Sequence, residues 1–209
     1  MNHIIGLAGQ KVSGKTTAYE YIKSIITIPV VEHSFAKPLK DFCIDVLGLS
    51  KQQCNGTDEE KNSLTDFLWE DVSTRFREKY TTISDCLLRS GPMTGREVMQ
   101  VQGEMQRTFF CDEIWIKPVF RNISKCKERC LHVIVDIRHK NEAYKCYENG
   151  AHIIVFSKKT NTDKADSEKE LLSIDWKKYG AFVIDNTNMT IDEKNEEIKK
   201  ILKKIKIIE

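Results

Sequence analysis

Gly9 to Thr16 reads G-Q-K-V-S-G-K-T, which sets two glycines, a lysine and a hydroxyl at the spacing G-x-x-x-x-G-K-[ST]. Glycines let backbone N–H groups turn toward phosphate oxygens, a lysine neutralises the β and γ oxygens of a nucleoside triphosphate, and a hydroxyl binds Mg²⁺. Gly9, Gly14, Lys15 and Thr16 hold those places. The elements that must position them are legible on either side. "HIIGLA" is a short apolar run suited to a buried strand, and "TTAYEYIKSII" repeats apolar residues at helical spacing through Ala18, Ile22, Ile25 and Ile26. Strand, loop and helix come in the order a phosphate cradle requires, so a nucleoside triphosphate site is expected.

A chain of 209 residues is long enough for one domain with a substantial core, at most with an inserted lid. Charged residues make up 31% and nearly balance at +2, so no global field draws the chain to nucleic acid or an anionic membrane. Any anion site must be local. Seven cysteines are scattered, with Cys126 and Cys130 the closest pair and no C-x-x-C pair or His-rich partner to suggest zinc or a redox centre. Reduced, mostly buried thiols are the expectation. With no apolar run approaching the ~18 residues of a membrane span, a soluble, cytoplasmic protein is expected.

Further along, "PVVEHSFA" (Pro29 to Ala36) reads as a strand and "KPLKDFCIDVLGL" as an apolar helix ending near Gly48. Residues 50 to 92 mix loop signals at Gly56 and at Ser90 to Pro92 with the irregular helical spacing of "LTDFLWEDVSTRF", and a mainly helical insertion is expected there. Helices are expected from Thr94 to Phe110 and from Trp115 to Lys125. "HVIVD", "HIIVF" and "AFVID" then give three short β-branched strands separated by helical segments. This alternation argues for an α/β fold with a mostly parallel, five-stranded sheet. The terminal "DEKNEEIKKILKKIKII" is acidic first and basic last, with Ile198, Ile201, Leu202 and Ile205 on one side and its lysines on a solvated face.

"VIVDIRHKNE" narrows the chemistry. A strand ending in Asp136 puts a carboxylate at the sheet edge where ligand and metal bind, and Arg138 follows two residues later. An arginine there can neutralise a transferring phosphoryl group or its acceptor, whereas a motor ATPase more often presents an acidic pair to position water. Structurally, Arg138 could instead pair with Glu142 four residues on.

Taken in order, "GQKVSGKTT", "FAKPLKD", "TGREVMQVQGEMQR", "DEIWIK", "VIVDIRHKNE", "DKADSE" and "FVIDN" resemble the deoxynucleoside monophosphate kinases of bacteriophages and large DNA viruses. "TGREVMQ" with the following Gly-Glu and Arg107 is the specific part. The resemblance implies one P-loop kinase domain with an acceptor-binding insertion at about 45–128 and a short lid at about 157–175. It implies ATP as donor, Mg²⁺ as cofactor and a deoxynucleoside monophosphate as acceptor, with the host cytoplasm as location if the protein is viral and a homodimer as its assembly.

Carried over by the resemblance, Lys15 and Thr16 serve ATP phosphates and Mg²⁺, with Thr17 beside them and Lys11 between donor and acceptor. Ala36, Lys37, Lys40, Arg96, Gln100, Arg107 and Trp115 line the acceptor side. Asp136, Arg138 and Glu142 sit beneath the reacting phosphates, Lys158 belongs to the lid side and Asn186 approaches the adenine. Lys37 and Lys40 could equally be solvated at a helix start, and Trp115 could be core. Val12 and Lys158 stand where the phage pattern often has arginine, and Ala165 where it tends to have histidine. In that last detail "DKADSE" also resembles the animal type of phosphomevalonate kinase, which keeps a small-metabolite kinase open beside the nucleotide reading. A non-catalytic nucleotide-binding regulator is the alternative from another class. The acceptor oxygen of a monophosphate is already anionic, so no general base is required, and His3, His33, His132, His139 and His152 are read as packing or surface residues.

Overall fold

The computed structural model describes residues 3–79, 88–158 and 166–209. The strands are β1 (His3–Gly9), β2 (Val30–His33), β3 (Leu64–Leu68), β4 (Pro92–Thr94), β5 (Leu131–Ile137), β6 (His152–Phe156) and β7 (Phe182–Ile184). The helices are α1 (Lys15–Ile25), α2 (Ala36–Asp45), α3 (Lys51–Asn55), α4 (Asp58–Lys61), α5 (Thr74–Lys79), α6 (Gly95–Phe109), α7 (Ile116–Lys125), α8 (Lys140–Glu148), α9 (Asp166–Ser173) and α10 (Ile191–Lys204). They divide between two compact units, Met1–Phe35 with Ile116–Glu209, and Ala36–Trp115.

The first unit is built on a five-stranded sheet of order β2-β5-β1-β6-β7. All four pairings are parallel. Parallel strands are covered on both faces, which is why β1, β5 and β6 read as nearly continuous apolar runs. Side chains alternate between the faces. Ile4, Ala8, Ile134, Ile153 and Val155 pack with Ile116, Val119 and Ile123 of α7 and with Ala143 and Cys146 of α8. Ile5, Leu7, Val133, Ile154 and Phe156 pack with Ala18 and Ile22 of α1 and with Ile198 and Leu202 of α10. The chain leaves β1 through α1 toward β2 and leaves β5 through α8 toward β6, in opposite directions along the sheet. Right-handed crossovers then force α1 and α8 onto opposite faces and open a crevice at the carboxyl ends of β1 and β5. The register sets Ala8 against Ile137, so the loop after β1 and the end of β5 meet at that crevice.

The second unit runs from Ala36 to Trp115, where the sequence implies an insertion at about 45–128. The difference follows from packing. Leu39 and Phe42 of α2 join Val98 and Val101 of α6 in one apolar cluster, while α7 contributes its apolar face to the sheet. Nor is the unit wholly helical. "LTDFL" forms β3, pairing antiparallel with β4 through Leu64 with Thr94 and Leu68 with Pro92. Thr65 Oγ1 donates to the Met93 carbonyl at 2.8 Å. Short helices α3 and α4 hold their starts through reciprocal capping boxes, Ser50 with Gln53 and Thr57 with Glu60. Of the lid expected at about 157–175, residues 159–165 lie outside the described residues, Ala165 among them. No helix of the described residues is long and apolar enough to cross a membrane.

Candidate active site

β1 delivers the chain to Gly9 at φ +148°, where a Cβ would stand 2.5 Å from Ser13 Oγ and 2.8 Å from the Phe156 carbonyl oxygen. Gly14, at φ +94°, forms the N-cap of α1 with no side-chain cap, and no acidic residue occupies the first turn. The start of α1 therefore turns its partial positive charge toward the loop, where an anion is stabilised. Thr16 stands exposed as the second residue of that helix. Lys15 lies back across the loop, its ammonium donating to the carbonyls of Gly9 at 2.6 Å and Gln10 at 2.7 Å. Such neutral acceptors are weaker than a phosphate oxygen, so the contacts are exchangeable for an anion. Lys11, in the same loop, is half-buried.

At the end of β5, Asp136 accepts from Ser34 Oγ at 2.6 Å and from the Phe35 N–H at 2.8 Å. Both oxygens of the carboxylate thereby tie β5 to the exit of β2. Glu142, 2% exposed, accepts from the N–H groups of Arg138 at 2.8 Å and His139 at 3.1 Å. It fixes the backbone turn that carries Arg138, so the carboxylate that the resemblance sets beneath the reacting phosphates is buried and bonded to backbone. Glu170 of α9 completes that helix start, accepting from the Lys140 N–H at 2.9 Å and pairing with His139 Nδ1 at 2.7 Å. Beneath α8, burial first and then the charges of Glu142 and Asp136 raise the Cys146 thiol well above its ordinary pKa, leaving it inert.

Asn186 uses both ends of its amide on backbone. It donates to the Ser13 carbonyl at 2.8 Å and accepts from the Lys158 N–H at 3.2 Å. It therefore straps the phosphate loop to the end of β6, and the adenine role implied for it falls on a side chain already engaged. Its neighbours Asp185, Thr187, Asn188 and Met189 line a cavity of about 420 Å³ with Glu193 and Glu197. Lys194 of α10, 4% exposed, donates to the Gly14 carbonyl at 3.2 Å and to Thr17 Oγ1. Burial lowers its pKa from the usual lysine range. Thr17 in turn donates to the Gly14 carbonyl at 2.9 Å, so this hydroxyl braces the start of α1.

In the second unit, α6 begins at a capping box between Thr94 and Glu97 and keeps Gln100 exposed and Arg107 half-buried. Arg96 donates through Nε to Asn62 Oδ1 at 2.9 Å and through a terminal nitrogen to Asp58 Oδ1 at 2.6 Å. Gly103 is buried, and a Cβ there would meet Leu39 Cδ2 at 3.1 Å. Its smallness serves the close approach of α2. Trp115, 5% exposed, donates its indole N–H to the Gly103 carbonyl at 3.1 Å and lies 6.2 Å from the Phe42 ring. Both contacts are those of a core residue. Lys37 pairs with Asp41 on the exposed face of α2 at 2.8 Å, and Ala36 and Lys40 are half-buried there.

The chain is 31% identical over 194 residues to a protein of Acanthamoeba polyphaga mimivirus named "Putative deoxynucleotide monophosphate kinase", covering 91% of each. The chain belongs to the deoxynucleotide monophosphate kinase family. No family model matches it. Among solved structures it resembles the dephospho-CoA kinase of Campylobacter jejuni (TM-score 0.48, 16% identity, 98% of each chain). It also resembles TT1252 of Thermus thermophilus (TM-score 0.45, 13% identity, 97% of each chain). Both scores lie below 0.5, and neither bears on the acceptor.

For a kinase of this family, Ser34 and Lys194 are the supports that motif reading passes over. Lys194 had a signal. It lies four residues before Ile198 and seven before Ile201, on the apolar side of α10. A lysine there needs a partner, and the Gly14 carbonyl supplies it. Val12 is the other departure, a β-branched residue at φ +62° inside the loop. Left-handed backbone costs such a residue roughly 1–2 kcal/mol, and asparagine tolerates it better. Val12→Asn is therefore expected to raise stability by about 1 kcal/mol in urea unfolding, and an unchanged or lower midpoint would show that the loop carries no strain at that position.

Proposed function

We propose that this protein transfers the γ-phosphoryl group of ATP to a deoxynucleoside 5'-monophosphate, giving the diphosphate. The observation that carries the donor half is the cradle itself: Gly9 and Gly14 in conformations that other residues rarely adopt, Lys15 across the loop, and Asp136 at the end of the adjoining strand. The close spacing around Gly9 and the uncapped start of α1 fit a polyphosphate chain, and the exposed hydroxyl of Thr16 fits Mg²⁺. Thr16 would hold Mg²⁺, which would supply positive charge against the phosphate oxygens. Lys15 exchanges its loop carbonyls for phosphate oxygens, and Arg138, its backbone held by Glu142, adds a fork of donors. Phosphoryl transfer is chiefly positioning and charge stabilisation, so these groups suffice without a covalent intermediate or a general base.

The mimivirus relative's name and the face of α6 support the acceptor half. Exposed Gln100 offers a donor and an acceptor to a base edge, and Arg107 and Arg96 offer positive charge to the monophosphate, Arg96 by exchanging Asp58 for it. The test is a panel of deoxynucleoside and nucleoside monophosphates with ATP, resolved by product chromatography, for wild type and Gln100→Leu. Wild type should convert at least one deoxynucleotide. The variant should shift the preference among bases by roughly 1–3 kcal/mol per lost polar contact while the KM for ATP holds. Failure of wild type to phosphorylate any monophosphate would overturn the acceptor assignment in favour of a small-metabolite kinase such as phosphomevalonate kinase.

A further inference from the structure

The spacing Cys126-x₃-Cys130-x-His132 falls outside the motifs associated with zinc, yet the fold gathers these residues. Chain reversal after α7 brings Cys126 back beside the start of β5, with its N–H donating to the Ile123 carbonyl at 3.1 Å. Cys130 and His132 are two residues apart along an extended segment, hence on the same side of it. Cys126 Sγ lies 3.2 Å from Cys130 Sγ, and Cys130 Sγ lies 3.3 Å from His132 Nε2. All three candidate ligand atoms fall within 4.8 Å of one another. Cys130 and His132 are each 1% exposed, whereas Cys126 is half-buried.

The imidazole is oriented from behind. His132 Nδ1 lies 2.9 Å from His33 Nε2 on the neighbouring strand β2. With the proton on Nδ1, His132 donates to His33 and leaves the Nε2 lone pair for the side of Cys130 Sγ. Metal-ligating histidines use this same arrangement, the second ring nitrogen held by a partner that fixes tautomer and angle.

We propose that Cys126, Cys130 and His132 bind one zinc ion, with His33 as the residue that orients His132. Tetrahedral zinc with Zn–S of ≈ 2.3 Å and Zn–N of ≈ 2.0–2.1 Å sets neighbouring ligand atoms about 3.5–3.8 Å apart. The observed spacings of 3.2 and 3.3 Å require the side chains to open by only about half an ångström. Two thiolates and an imidazole select zinc over Mg²⁺, which prefers oxygen ligands. Water would take the fourth position. Binding releases the two thiol protons to solvent as both sulfurs become thiolates. The cluster sits where β5 begins, whereas Gly9 and Asp136 lie at the carboxyl ends of the parallel strands β1 and β5. The ion therefore takes no part in phosphoryl transfer and fastens the α7–β5 turn to the sheet.

The test uses the full chain, reduced with a phosphine, stripped with chelator and titrated with Co²⁺ and then Zn²⁺. The expected result is one Co²⁺ per chain with thiolate-to-cobalt charge-transfer absorption, displaced by one equivalent of Zn²⁺, and a zinc-dependent rise in the unfolding midpoint. Cys126→Ser, at the half-buried ligand and so least disturbing to folding, should remove most of the charge-transfer absorption and the zinc-dependent rise. His33→Ala should keep the band but weaken affinity about 10–100-fold. Absence of the band in the reduced wild type, or its survival in Cys126→Ser, would overturn the proposal. So would mass spectrometry that finds a Cys126–Cys130 disulfide forming as fast with zinc present as without it.

Discussion

Lys15→Ala is expected to lower turnover at least ~10²-fold while the unfolding midpoint falls by no more than a few degrees. The two halves of this expectation rest on different contacts. In the fold, the ammonium donates to the Gly9 and Gln10 carbonyls. Those bonds are partly exposed to water, so losing them costs about 0.5 kcal/mol each, the low end for a net hydrogen bond, or a few degrees together for a chain of this size. In the reaction, the same charge moves onto oxygens that gain negative charge on the way to the transition state. Removing a preorganised charge from such a site costs about 2.7–4 kcal/mol, which is 10²–10³ in rate. The measurement is kcat by a coupled assay for nucleoside diphosphate, with circular dichroism and thermal unfolding of the same preparation. Turnover near wild type in a folded variant would reject the loop as the site of transfer.

The loop was legible because its conformation is demanded residue by residue. Gly9 and Gly14 sit at positive φ with atoms crowding the Cβ position of Gly9, so the motif and the geometry state the same constraint. The central strands were legible for a similar reason, since a strand buried on both faces has no polar residues to blur its limits. The second unit was obscure because β3 is stabilised by pairing with β4 across more than twenty residues of chain, and its exposed Leu64 and Leu68 break the expected alternation. Its short helices did leave a signal in Ser50-x-x-Gln53 and Thr57-x-x-Glu60, the same device that starts α6 and α10. What spacing alone could not give is which partner a polar side chain chooses. Asn186, Glu142 and Arg96 all carry groups fit for a nucleotide, and each is engaged with the protein itself. The Cys126, Cys130 and His132 cluster was hidden because a reversal of the chain, rather than a regular repeat, brings its members together.

Trp115 separates a residue that binds the acceptor from one that holds the acceptor-binding unit together. Resemblance implies the first role, but the ring is 5% exposed, its N–H is satisfied by the Gly103 carbonyl, and Phe42 packs near it. Gly103 belongs to α6 and Phe42 to α2, so the indole fastens those two helices at the point where Leu39 already presses on Gly103. Trp115→Ala is expected to cost about 3–5 kcal/mol, the range for deleting a buried tryptophan side chain, against a total stability of about 5–15 kcal/mol. Trp115→Phe isolates the donor. It keeps most of the apolar contact, and it does not orphan the Gly103 carbonyl, which stands within a helix, so the expected loss is near 1 kcal/mol. Urea unfolding of both variants, set beside the KM for the best monophosphate, decides between the roles. A packing residue gives the graded stability losses and leaves the KM of the folded Trp115→Phe enzyme within about twofold of wild type. A wall of the acceptor site would give the reverse, an unchanged unfolding free energy with a KM raised tenfold or more, because a well-placed contact worth about 1.4 kcal/mol in binding is a factor of ten.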